Sequence, residues 1–285
     1  MKSKSKSVLL FTSILVVAAL LAACGGTNTP GAPVSDPSAD SSTVSVSGST
    51  TVQPLAEKLA EAFMTEYSGV RIDVQGGGSS VGVKAAGEGT SDIGMASREI
   101  KESELAEFPN LNIIVIARDG IAIVAHPDVN VSDLTVEQVR NIFSGKTTNW
   151  KDLGGEDQNI FVVSREEGSG TRGAFEEMVM GEDALIAATA ILQPSNGSIR
   201  TTVSTTPYSI GYLSFGYLDD TVKSISIDGV APTEPNAADG SYPIVRPLNM
   251  LTNGEPAGVV KAFLDFILSD AGQKLVVEDG YIPVQ

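Results

Sequence analysis

Apolar and polar residues alternate over Val44-Ser45-Val46-Ser47, the period of a strand with one buried face. From Gln53 the period changes. Leu55, Leu59, Phe63 and Tyr67 recur every four residues, and Pro54 suits a first helical turn, so a helix begins at Gln53 with one face buried. Val70, Ile72 and Val74 return to alternation. A short helix follows over 81–86, and Asp92-Ile93-Gly94-Met95-Ala96 reads as a third strand. Strands alternating with helices predict an open parallel sheet, whose ligands lie beyond the carboxyl ends of the strands.

Two β-branched apolar runs, 111–117 and 120–125, flank Arg118-Asp119, and this is where the chain is expected to cross from a first lobe to a second. The pattern then predicts a helix over 136–143, a strand over 160–163, a helix over 173–180 and a Tyr- and Gly-rich stretch at 209–213. Residues 232–240 read as a polar surface loop. After Tyr242-Pro243-Ile244-Val245 the chain crosses back, and a helix over 258–268 packs on the first lobe. Two crossings of a waist describe a hinged clamp. Residues 43–117 with 245–285 form its first lobe and 118–244 its second. Trp150, Phe143 and Leu153 are assigned to the second-lobe core.

Three loops rich in Gly, Ser and Thr each follow a strand and lead into a helix: Ser47-Gly48-Ser49-Thr50-Thr51, Gly76-Gly77-Gly78-Ser79-Ser80 and Glu167-Gly168-Ser169-Gly170-Thr171. Backbone N–H groups at helix N-termini are unpaired and carry partial positive charge, so their convergence would cradle a small anion. Arg165 adds a fixed cation with a planar fork of donors suited to oxyanions. Glu167 is placed to hold that guanidinium, and Arg98 is assigned as partner to a neighbouring acid. Gly145-Lys146-Thr147 is no phosphate-binding P-loop, because Arg140 stands where that motif needs glycine.

The amino terminus changes the picture of where this clamp works. A basic start with Lys2, Lys4 and Lys6 precedes an apolar run over 8–23 that ends in Leu21-Ala22-Ala23-Cys24. This is the pattern of an export signal, residues 1–23. Leu-Ala-Ala-Cys resembles a bacterial lipobox, in which Cys24 becomes the lipidated first residue. Residues 24–42 then form a tether with a reach of about 20 to 25 Å. With the one cysteine so used and a single histidine, His126, at the end of an apolar run, thiol catalysis and Cys/His metal sites are excluded. No metal and no cofactor is expected. A formal net charge of −16 excludes nucleic acid as a partner. Screening confines that field to about 8 Å at physiological salt, so an anion site must act through local donors.

Four segments in order resemble the periplasmic phosphate-binding proteins of ABC importers: residues 48–55, 76–80, Ile142-Phe143-Ser144-Gly145-Lys146-Thr147-Thr148-Asn149-Trp150 and Arg165-Glu166-Glu167-Gly168-Ser169-Gly170-Thr171. The ending, residues 260–269 and Gly280-Tyr281-Ile282-Pro283, is similar too, and the likeness covers nearly everything after Thr43. It implies an α/β, two-lobed periplasmic-binding-protein-like fold of type II, each lobe a mostly parallel sheet flanked by helices and joined by two hinge crossings. It also implies a monomer, lipid-anchored on the extracytoplasmic face, that binds inorganic phosphate between its lobes. The phosphate would pass to a permease and ATPase complex, with no bond made or broken. The phosphate-contacting residues it implies are Thr50, Thr51, Ser79, Arg165, Ser169, Gly170 and Thr171, with Ser97 standing where many members have an aspartate.

Phosphate has only five heavy atoms, so at about 1.5 kcal/mol per atom its affinity is bounded near 7.5 kcal/mol and nearly every oxygen lone pair must be engaged. A carboxylate in such a site accepts from protonated phosphate and repels sulfate. With Ser97 in its place the hydroxyl is the expected acceptor, and repulsion of sulfate weakens unless Glu99, Asp92 or Glu167 enters the site. Other readings stay open: a binding protein for sulfate, tungstate or an organic phosphate, a sensor, or an exported phosphatase-like hydrolase. Against the last, Ser169 lacks both the nucleophile-elbow spacing and a histidine partner.

Overall fold

A computed structural model of the chain describes residues 42–182 and 184–284. Cys24, the export signal and all but the last tether residue lie outside them. The alternating stretches form strands β1 (Ser42–Gly48), β2 (Val70–Gly76), β3 (Ile93–Ala96), β4 (Leu111–Ala125), β5 (Asp133–Leu134), β6 (Phe161–Arg165), β7 (Ile191–Gln193), β8 (Ser209–Ser214), β9 (Lys223–Ile227) and β10 (Val245–Asn253). Between them lie helices α1 (Gln53–Glu66), α2 (Ser79–Glu88), α3 (Glu102–Glu107), α4 (Val136–Phe143), α5 (Gly170–Phe175), α6 (Asn196–Thr205), α7 (Glu234–Ala238), α8 (Gly258–Leu268) and α9 (Asp270–Glu278).

The strands hydrogen-bond in the order β2-β1-β3-β10-β4-β8-β6-β7, with β9 on β4 and β5 on β9. Two parallel sets, β2-β1-β3 and β7-β6-β8, are thus joined by the long antiparallel pair β4 and β10. Both parallel sets end their strands toward the waist, where the glycine loops begin. One core packs α1, α8 and α9 on β1, β2 and β3, with Leu55, Leu59, Phe63, Phe263 and Ile267 fully buried. Another gathers Ile121, Val124, Phe143, Trp150, Phe175 and Tyr212. β4 contributes Ile116 and Ala117 to the former and residues 121–125 to the latter, so one strand runs through both lobes.

The strand passes from one core to the other across Arg118-Asp119 without interruption. Arg118 stays extended opposite Pro247, and Asp119 opposite Arg246, because their cross-strand partners supply the pairing that the local sequence does not. Register shifts by one residue between Leu248 and Asn249, which leaves Ile116 as the extra residue of a β-bulge at the waist. The C-terminal segment reaches the same place, where Arg118 and Ile282 exchange backbone bonds of 2.8 and 2.9 Å.

Other elements differ from the sequence pattern for local reasons. β1 starts at Ser42, one residue inside the expected tether. The segment expected to be a polar loop contains α7, which Pro235 starts in its first turn and buried Ala237 ties down. The helix expected from Gly173 begins at Gly170, where the Ser169 hydroxyl caps it, and passes into a π-helical turn over Glu176–Met180. Helix α9 follows α8 without a loop because Ser269 both ends one and caps the other. His126 is structural: its Nδ1 accepts from the Asp128 amide at 3.1 Å.

Phe175, at the end of α5, stacks on Tyr212 with ring centroids 4.1 Å apart and also meets Phe143 at 4.7 Å. Its truncation leaves a cavity directly beneath the third glycine loop. Phe175→Ala is therefore expected to lower unfolding stability by about 3 to 5 kcal/mol, read as a shift of the urea midpoint. A change below about 1 kcal/mol would mean that this packing does not support the lobe.

Candidate functional site

Each of the three loops leaves the carboxyl end of a parallel strand at the waist. Gly48 ends β1 with φ +133°, a backbone conformation that suits glycine, and a side chain there would overlap the Met95 carbonyl. The Ser49 hydroxyl then accepts from the Thr51 and Val52 amides at 3.2 and 3.3 Å, which folds Thr50 and Thr51 over the start of α1. From β2, Gly76-Gly77-Gly78 turns into α2 with Ser79 as its first residue. From β6, the run after Arg165 turns into α5, capped by the Ser169 hydroxyl accepting from the Arg172 amide at 3.2 Å.

These loops meet. The Ser80 amide donates to the Gly168 carbonyl at 3.1 Å, and Thr51 Oγ1 lies 3.1 Å from Thr171 Oγ1. A Cβ at Gly170 would overlap Ser79 Oγ and come within 2.5 Å of Ser97 Oγ, so glycine is what lets α5 approach these hydroxyls. Ser97, at the end of β3, donates its amide to Ser79 Oγ at 3.0 Å, and its hydroxyl accepts from Ser49 Oγ at 2.9 Å. Thr51, Ser79, Ser97, Arg165, Ser169, Gly170 and Thr171 are all buried, and Thr50 is partly buried. The geometry brings all eight sequence-derived residues to one place.

Arg165 is 1% exposed. Its Nε and Nη2 donate to the Glu166 carboxylate at 3.0 and 2.9 Å, to the Gln193 and Pro194 carbonyls at 3.1 Å each, and Nη2 to Thr50 Oγ1 at 3.3 Å. Its Nη1 is buried with no partner among the described residues. A buried guanidinium nitrogen without an acceptor is costly, and an oxyanion would satisfy it. The carboxylate holding Arg165 is Glu166, its immediate neighbour; Glu167 instead lines the cleft mouth with Arg98, Lys101 and Arg172. Arg98 pairs with Glu104 through two bonds of 2.8 and 2.7 Å, as the partner of a neighbouring acid.

Three further residues join the site that the sequence reading passed over. Arg246 of β10 lies directly across from Asp119 of β4, both fully buried and paired at 2.8 Å. Arg246 also donates from Nη1 to the Ser97 carbonyl at 3.1 Å and from Nη2 to Thr51 Oγ1 at 3.3 Å. Asn196, first residue of α6, donates to Thr51 Oγ1 at 2.8 Å and accepts from the Ser214 amide at 3.3 Å. Burial raises the pKa of the Asp119 carboxyl and lowers that of the Arg246 guanidinium, and the attraction between the two works against both shifts. Beneath the third loop, burial pushes the Tyr212 hydroxyl up to about 12, which keeps it a neutral partner of Ser164 Oγ and the Arg165 amide. None of the expected carboxylates enters: Asp92 is bonded to Ser45, and Glu99 is exposed.

The chain matches the PBP superfamily domain over residues 33–271. It is 38% identical over 289 residues to the phosphate-binding protein PstS of Bacillus subtilis (strain 168), covering 99% of this chain and 95% of that protein. Among solved structures it is similar to one from Clostridium perfringens, described as a phosphate ABC transporter substrate-binding protein with bound phosphate. The TM-score is 0.82 at 43% identity, over 85% of this chain and all of that one. An ABC-type phosphate transport receptor from Vibrio cholerae gives 0.72 at 38% identity, over 84% and 99%. With one likeness running through the whole sequence and another through the described fold, the chain belongs to the phosphate-binding proteins of the PBP superfamily.

Proposed function

We propose that this protein binds inorganic phosphate between its two lobes and delivers it to an ABC importer, as a carrier and not an enzyme. The observation that carries this reading is the buried cradle itself. Hydroxyls and amides from loops of both lobes converge there beside an Arg165 nitrogen that lacks an acceptor. In this reading Thr50, Thr51 and Ser79 contact phosphate from the first lobe, with Ser97 beside them. Arg165, Ser169, Gly170 and Thr171 close on it from the second. Small side chains let the backbone approach the anion, and hydroxyls place further donors around it.

The two cores support a division into residues 43–117 with 245–285, and 118–244. The names of the relatives support phosphate as cargo and an ABC transporter as its recipient. In the same proposal Cys24 carries lipid that holds a monomer on the extracytoplasmic face of the membrane. Metabolic labelling with a radioactive fatty acid, lost on Cys24→Ser, reads this directly.

Titration calorimetry of the full-length chain with phosphate tests the reading. Arg165→Ala removes a charge-assisted pair and is expected to weaken binding at least about tenfold; unchanged affinity would displace the site from this cleft. Gly170→Ala pushes a methyl group into Ser79 and Ser97. Its expected effect is a loss of affinity of about five- to thirtyfold, the equivalent of one or two hydrogen bonds. Thermal unfolding of the same variant separates lost binding from lost structure.

A further inference from the structure

Which tetrahedral anion this cleft accepts depends on where its hydrogen-bond acceptors are, and those are already assigned. Asp119 is the carboxylate at the waist beside the lining hydroxyls, yet both of its oxygens are filled. Oδ1 accepts from Ser214 Oγ at 3.0 Å and the Phe215 amide at 3.2 Å; Oδ2 accepts from Arg246 Nε and Nη2 at 3.1 and 2.8 Å. A carboxylate has about four lone-pair sites, so this one has none left for a ligand.

The hydroxyls are constrained in the same way, since each has two acceptor sites and one proton. Thr51 Oγ1 accepts from Asn196 and from Arg246 Nη2, so its proton goes to Thr171 Oγ1. Thr171 therefore keeps its own proton to donate elsewhere. Ser49 Oγ accepts from two amides, so its proton goes to Ser97 Oγ. Arg246 Nη1, 3.5 Å away, takes the second acceptor site of Ser97 Oγ, so the Ser97 proton points to Ser79 Oγ, also at 3.5 Å, or to an anion in the cleft. The serine that stands in place of an aspartate is thus arranged to donate, not to accept.

We propose that Arg246 is a positioning residue: it commits the Thr51 proton to Thr171, whose own hydroxyl is left to donate, and it makes the Ser97 hydroxyl a donor. The cleft then recognises a tetrahedral oxyanion by its negative charge, not by a proton on it, and sulfate competes with phosphate. This rests on the reading of the cleft as the phosphate site. The nearby guanidiniums each have their own carboxylate: Arg246 has Asp119, Arg165 has Glu166 and Arg98 has Glu104. Among the described residues, no carboxylate with free acceptor capacity bonds to the lining hydroxyls, so a proton-free anion meets no unfilled acceptor there.

The test is competition calorimetry on the full-length chain with sodium phosphate and sodium sulfate. For the wild type, sulfate is expected to bind and to weaken the phosphate isotherm. Ser97→Asp places an unfilled acceptor in the lining and is expected to raise the phosphate-to-sulfate affinity ratio at least about tenfold. Arg246→Gln combined with Asp119→Asn removes the pair without leaving a buried charge, frees the two hydroxyls to accept, and shifts the ratio in the same direction. A fold defect moves both affinities together, so the ratio reports position and not stability. Sulfate with no effect at about a thousandfold excess, or a ratio unchanged in both variants, overturns the inference. If the wild type binds phosphate but not sulfate, this inference fails and the transport reading stands. If it binds sulfate but not phosphate, both fall, because a cleft that reads charge alone would hold either anion.

Discussion

A charge buried without a partner costs several kcal/mol, and the guanidinium groups buried at the waist of this protein include those of Arg165 and Arg246. Their carboxylates come from different places. Arg165 takes the next residue along, Glu166, whereas Arg246 takes Asp119 from the strand across. That second pair constrains everything around it. It is satisfied only when β4 and β10 align with Asp119 opposite Arg246, and a slip of one residue would turn the two groups to opposite faces of the sheet. The same register sets the lobes on either side and brings Arg246 to the carbonyl of Ser97 and the hydroxyl of Thr51. Hinge, cores and binding cleft therefore share one alignment.

Much of this was legible because its determinants are local. The switch from alternation to a four-residue period at Gln53 located α1 to the residue, and the pattern over 136–143 located α4. The glycine loops were readable for the same reason. A tight turn from strand to helix needs small residues wherever it occurs, and their order along the chain said which loops would meet. The three loops and Arg165 could be singled out without any contact being known, and the family resemblance then picked Thr50, Thr51, Ser79 and the run at 169–171 within them.

What escaped was non-local. Asp119 looked like part of a polar break between two apolar runs, and nothing near Val245 or Pro247 in sequence explains why Arg246 should be buried. Only strand pairing joins them, across more than a hundred residues. Asn196 was hidden for a related reason. It sits at the first position of a helix, where asparagine is unremarked, while its amide bridges the two lobes from there. The choice of Glu166 over Glu167 turned on the direction in which adjacent side chains leave the end of a strand.

The C-terminal pairing of Ile282 with Arg118 bears on the order in which the molecule can assemble. Nearly all of the second core comes from one unbroken stretch, residues 121–244, and Ile282 is the exception. The first core is divided, taking β1, β2 and β3 from the early chain but Leu248, Met250, Phe263, Ile267 and Val276 from near its end. As the chain is synthesised, the second lobe has nearly all of its core before the first does. The first must hold its hydrophobic residues open until the final forty or so arrive, a long separation of the kind that slows folding and exposes apolar surface. The half of the cleft that is encoded first is therefore the half that is finished last.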